Sequence, residues 1–179
     1  MSANDAVEES YKALGEFVIV FQWVENVYRQ MGWFIINPER TEWPPMELRK
    51  ETNYALINKV TKMFIDLTTR YSLPGGAEKA KEMQELRDTF HELRKYRNCL
   101  LHSAFVELKA GDDIHGYLRS NPDVGVDPES GELIYDQEEF TADLIYSKLR
   151  EYGDSMFRLN VNYVQILHWY PFSRHGTGI

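Results

Sequence analysis

From Leu14 onward the apolar residues Leu14, Phe17, Phe21, Val24, Tyr28 and Met31 recur in steps of three and four, the seam of a helix packed in a bundle. Asn37-Pro38 and Trp43-Pro44-Pro45 break this pattern, and Leu56, Ile57, Val60, Met63, Phe64 and Leu67 predict a second helix that ends at Leu73-Pro74-Gly75-Gly76. A third helix is expected from near Ala77 at least to Leu101, with Met83, Leu86, Phe90, Leu93, Leu100 and Leu101 at helical spacing. The period then changes. Ala104, Val106 and Leu108 alternate with Phe105, Glu107 and Lys109, and Ala110-Gly111-Asp112-Asp113 turns the chain into a second extended run over 114–118, so a hairpin is predicted. Residues 120–131 read as a polar loop, and Leu133-Ile134-Tyr135 as a third strand. Asp136 and Glu139 have the spacing of an N-cap with its reciprocating carboxylate. Phe140, Leu144, Leu149, Tyr152, Met156, Leu159, Tyr163 and Ile166 carry the fourth helix to about His168, before Pro171 stops it. The expected fold class is therefore all-α: a four-helix bundle in a single domain over 1–179, with a small β-hairpin insertion between helices three and four at about 103–135.

One position breaks the third helix's seam. Leu86, Phe90 and Leu93 call for an apolar residue at 97, and the residue there is Arg97. A guanidinium stays charged at working pH, so on a packing stripe it needs an ion pair, water or a ligand. Arg94, Asn98 and His102 lie four residues apart on the neighbouring ridge. A structural reading pairs Arg97 with Glu25 at the edge of the first helix's seam. A chemical reading makes the group a phosphate site: Arg97 for bidentate contact with phosphate oxygens, Asn98 to orient it, and the imidazole of His102 to exchange protons near neutral pH. RNA suits such a site because its 2′-hydroxyl is an internal nucleophile.

Composition narrows the choice. The net charge of −8 over 179 residues excludes a protein that coats nucleic acid through bulk positive charge. The charge is uneven: residues 1–106 hold 14 basic against 15 acidic side chains, whereas 107–154 hold 4 against 13. A narrow, locally basic cleft around Arg94, Lys95 and Arg97 therefore remains compatible with one phosphate. The single cysteine, Cys99, excludes an intrachain disulfide and a Cys-based zinc site; flanked by Leu100 and Leu101, it reads as a small buried filler. No cofactor and no metal are expected. A carboxylate-bridged metal pair needs Glu-x-x-His on two helices, and Asp88-Thr89-Phe90-His91 is the one helical approximation. The amino terminus lacks the order of a secretory signal and no window is apolar enough to span a membrane, so the expected location is cytoplasmic.

The segment Arg97-Asn98-Cys99-Leu100-Leu101-His102 resembles the Arg-polar-x-x-x-His signature of HEPN domains, late in the third of four expected helices as that family places it. The likeness covers about 12–105 and 137–168 but not the insertion. It implies a homodimeric, metal-independent endoribonuclease of HEPN type, cleaving RNA by 2′-hydroxyl attack in a cleft shared by two copies. By position, Arg97 stabilises the scissile phosphate, His102 transfers protons and Asn98 holds the geometry, with Arg94 and Lys95 extending the phosphate contacts and Glu25 in support. Members also include toxins held by an antitoxin or regulatory protein, phage-defence effectors, and non-catalytic dimers that bind a nucleotide, RNA or protein. Helix geometry is consistent with a dimer: positions 97 and 102 are about 140° apart around an ideal helix, so one copy offers no tight pair unless the helix end unwinds.

Overall fold

The seam that begins at Leu14 belongs to a longer helix than the pattern predicts, α1 (Ala3–Ile36), with Phe17, Phe21, Val24, Tyr28 and Met31 all buried. The computed structural model describes residues 3–39, 43–111, 113–121, 125–132 and 136–174. Along the chain follow α2 (Met46–Arg49), α3 (Asn53–Tyr71), α4 (Gly76–His102), β1 (Ala104–Ala110), β2 (Asp113–Asn121), β3 (Asp136–Phe140) and α5 (Ala142–Arg174). They group into two units, one formed by Met1–Phe21 with Lys95–Glu151, the other by Gln22–Arg94 with Tyr152–Ile179.

The second unit is helical. Residues 22–36 of α1, all of α2 and α3, 76–94 of α4 and 152–174 of α5 supply its core. Thr52 caps α3 by accepting the N–H of Ala55 at 3.3 Å, and Ser72 ends it in the left-handed region at φ 46°. Phe64 is fully buried against Trp169, which is 2% exposed, with ring centroids 5.7 Å apart. Removing a side chain of this size from water contributes roughly 1.5–3 kcal/mol. Gly32 marks the closest approach: a Cβ there would stand 2.9 Å from Val60 Cγ2 and 3.1 Å from a Leu48 methyl. Only glycine fits without displacing them.

The first unit corrects the all-α expectation. Beside its helical segments it carries a three-stranded antiparallel sheet in the order β1-β2-β3, so among the described residues the chain has five helices and a sheet, not a four-helix bundle with a hairpin. The hairpin stands where expected. The extra strand is 136–140, read from sequence as the start of the last helix, because Asp136 and Glu139 imitate a capping pattern. In the fold, Glu138 and Phe140 stand opposite Arg119 and Tyr117 and share their face of the sheet, where Arg119, Tyr117 and Phe140 are buried. The helix starts later, at Ala142, capped by Thr141 Oγ1, which accepts the Leu144 N–H at 3.3 Å. It also runs through Pro171 to Arg174; proline's missing N–H costs one hydrogen bond there without ending the helix. The strand expected at Leu133-Ile134-Tyr135 and the turn residue Asp112 lie outside the described residues.

Pairing of β1 with β2 is regular from Ala104↔Ser120 to Leu108↔Gly116 and then shifts to Lys109↔Ile114, which leaves His115 bulged on β2 and β1 itself unbroken. Phe105 meets Phe140 edge to face across the buried side, with centroids 5.1 Å apart.

Candidate functional site at the end of α4

The last two turns of α4, in the first unit, hold the motif. The helix stays regular through His102 and ends at Ser103, whose hydroxyl donates to the Cys99 carbonyl at 2.6 Å before the chain enters β1. Arg97 lies half-buried on the packing stripe as the seam requires. Its guanidinium rests over the Phe21 ring at 5.4 Å and donates from Nη1 to Asn98 Oδ1 at 3.0 Å. Among the described residues of this unit no carboxylate pairs with it. The stripe thus carries a fixed cation held by a ring face and an amide oxygen, with N–H donors left over. His102, one turn on, is exposed.

Because α4 does not unwind before His102, the angular separation of about 140° between Arg97 and His102 persists in one copy. The fold therefore brings Arg97 and Asn98 together but leaves His102 on another side of the helix.

The other candidate residues are placed as follows. Lys95 is exposed in the first unit. Glu25 belongs to the second unit, where Arg29 holds its carboxylate at 2.5 Å; Arg29 also donates to the carbonyls of Leu48 and Glu51. Glu25 thus helps tie α1 to the segment around α2. Arg94 is also in the second unit, half-buried with its guanidinium over the Tyr54 ring at 5.2 Å and its Nε buried without a hydrogen-bond partner. His91 is half-buried: its ring stacks on Tyr54 at 4.8 Å and its Nε2 meets Asn58 Oδ1 at 3.0 Å.

A polar cluster that the sequence reading missed adjoins the motif. Cys99 is half-buried, and its Sγ accepts hydrogen bonds from Arg119 Nη1 at 2.9 Å and Asn121 Nδ2 at 3.1 Å, so it is no mere apolar filler. Arg119, 3% exposed, also donates from Nε to Glu138 at 2.7 Å and from Nη1 to Ser103 Oγ at 3.1 Å. This side chain fastens the end of α4 to β2 and β3. The available signal was period-two alternation, which continues past Leu118 to place Arg119 on the face of Tyr117, with an acidic run later in the chain to neutralise it.

Among the described residues no three His, Cys, Asp or Glu side chains form a group able to hold a metal ion, and no helix is long and apolar enough to cross a membrane. No protein family, no curated protein and no solved structure matches this chain.

Proposed function

We propose that the chain is a cytoplasmic, metal-independent endoribonuclease of HEPN type that works as a homodimer. The observation that carries this reading is Arg97: a half-buried guanidinium on a packing stripe, steadied by Phe21 and Asn98, with no carboxylate paired to it among the described residues of its unit. A phosphate oxygen supplies the missing anion. In the reaction the RNA 2′-oxygen attacks the adjacent phosphorus and the 5′-oxygen leaves, giving a 2′,3′-cyclic phosphate. Arg97 stabilises the charge that builds on the phosphoryl oxygens, His102 of the other copy moves the proton to or from the 2′ or 5′ oxygen, and Asn98 keeps the guanidinium aimed. Lys95, exposed in the same unit, extends the contacts to a flanking phosphate. Such an activity needs restraint in a cell, which suits a toxin or phage-defence effector governed by an antitoxin or regulatory protein.

The test is cleavage of single-stranded RNA in EDTA by wild type, Arg97→Ala and His102→Ala, each checked for folding. Each variant is expected to lose at least about 100-fold in rate, the size of a general acid–base contribution. Mixing the two inactive variants should restore about a quarter of the wild-type rate, because random pairing makes half the dimers mixed and each of those has one intact composite site. Wild type as inactive as both variants would instead make the chain a non-catalytic dimer that uses Arg97 to bind a nucleotide, RNA or protein partner.

A further inference from the structure

All seven residues of β1 are exposed, and β1 is an edge: among the described residues it pairs with β2 on one side and with no strand on the other. Val106 is 53% exposed, Phe105 38% and Leu108 37%. Soluble proteins blunt such an edge with proline, with a bulge in the edge strand, or with unmatched charge. None of these protects β1. It contains no proline, the bulge at His115 lies on β2, and the one cation, Lys109, lies beside Glu107 on the same face at 2.8 Å.

We propose that this edge pairs antiparallel with β1 of a second copy, about a two-fold axis at Leu108, to make a continuous six-stranded sheet. A two-fold axis normal to the sheet keeps each residue on its own face, so the axis must pass through a residue position. With the axis at Leu108, Glu107 stands opposite the second copy's Lys109 and Lys109 opposite its Glu107, while Val106 meets Ala110 and Leu108 meets itself on the apolar face. Shifting the axis to Glu107 sets two carboxylates against each other, and shifting it to Val106 leaves both charges without an opposite partner. The strand is complementary in charge to itself in one register, which names its occupant as another copy of the same strand.

This interface is separate from the proposed catalytic cleft and does not rest on it. Ala104, where the chain enters β1 after α4, stands four strand positions from Leu108, so at about 3.3 Å per residue the Ala104 positions of two copies joined here lie roughly 26 Å apart. The test is sedimentation equilibrium at low salt over a range from low to high micromolar, with hydrogen exchange of the β1 amides. Wild type should reach twice the chain mass of 21.0 kDa or a multiple of it, with residues 106–110 protected as concentration rises. Glu107→Lys and Lys109→Glu alone should each weaken this step at least tenfold. The double swap, which restores opposite charges in the same register, should return it to wild-type strength. β1 amides that exchange equally at all concentrations, single swaps without effect, or a double swap no better than the singles would each overturn the proposal. RNA cleavage by the swapped variants reads the ribonuclease proposal separately, since Arg97, Asn98 and His102 are untouched.

Discussion

Replacing Arg119 by alanine should cost the protein about 3–5 kcal/mol, the range for breaking a buried ion pair by removing one partner. The contributions can be separated. Its guanidinium side chain is 4% exposed and bonds Glu138, Ser103 and Cys99, and the charged bond to Glu138 is of the class that contributes about 1.5–3 kcal/mol. Glu138 is itself 32% exposed, so water recovers part of that loss and the lower end applies. The aliphatic stem adds roughly 0.8 kcal/mol for each buried methylene removed. For a chain of this length each kcal/mol moves the melting temperature about 2–4 °C, so at the lower end, about 3 kcal/mol, Arg119→Ala should melt roughly 6–12 °C below wild type by circular dichroism. Arg119→Met keeps most of the stem and should lie between the two. The damage should reach function too, because Arg119 anchors the turn of α4 that bears Cys99 and leads to His102. A melting temperature for Arg119→Ala within about 2 °C of wild type, or the same fall for alanine and methionine, would refute the account of Arg119 as a buried, charge-bearing anchor.

Three further outcomes follow from the packing and the protonation of the fold. Asn162 is fully buried on the seam of α5 with neither amide atom partnered, so Asn162→Leu, which keeps the branched four-atom skeleton, should raise the urea midpoint by the equivalent of about 1–3 kcal/mol; a lower midpoint would mean the amide is satisfied. Gly32→Ala should lower that midpoint by about 1–2 kcal/mol despite alanine's better helix propensity, because the added Cβ meets Val60 Cγ2 at 2.9 Å, and any rise would contradict the close approach. The hydrogen bond shared with Tyr11, together with burial and Glu107, pushes the Tyr117 hydroxyl up to about 12, and the bond Tyr146 donates to Glu9, with burial, does the same to Tyr146. The folded state thus keeps protons that the unfolded chain releases near 10, so the stability from these groups is complete below that pH and is lost as pH rises through 12. Burial pushes the Tyr28 hydroxyl up as well, so tyrosinate absorbance should show three tyrosines titrating late in the native protein, and Tyr117→Phe should remove one of them.

How much of this was legible in the sequence depended on whether a residue's neighbours are close in the chain. The seams of α1, α3 and α4 and the hairpin of β1 and β2 follow from periodicity, which reports local geometry directly. Arg97 was legible for the same reason: it interrupts a stripe whose other members fix its position. Strand β3 was not, because Asp-Gln-Glu-Glu-Phe satisfies a helix start by composition and becomes a strand only when Glu138 finds Arg119 nineteen residues away. Proline reasoning failed at Pro171 because α5 is long enough to carry the loss of one bond near its end. The roles of Glu25 and Arg94 depended on partners that periodicity does not name, Arg29 for one and Tyr54 for the other.

Neither unit is a continuous stretch of chain. The first needs Met1–Phe21 to wait for Lys95–Glu151, and the second needs Gln22–Arg94 to wait for Tyr152–Ile179. Helix α5 finishes both. A ribosome adding roughly 5–20 residues per second therefore releases a nascent chain in which α1, α3 and α4 are already made but neither core can close until α5 emerges. The apolar faces of those helices and the bare β1 edge stay open during that interval, when a chaperone or a neighbouring nascent copy has its best access. Any truncation that removes α5 leaves two unfinished halves, so deletion studies of the motif must preserve the carboxyl-terminal helix to be interpretable.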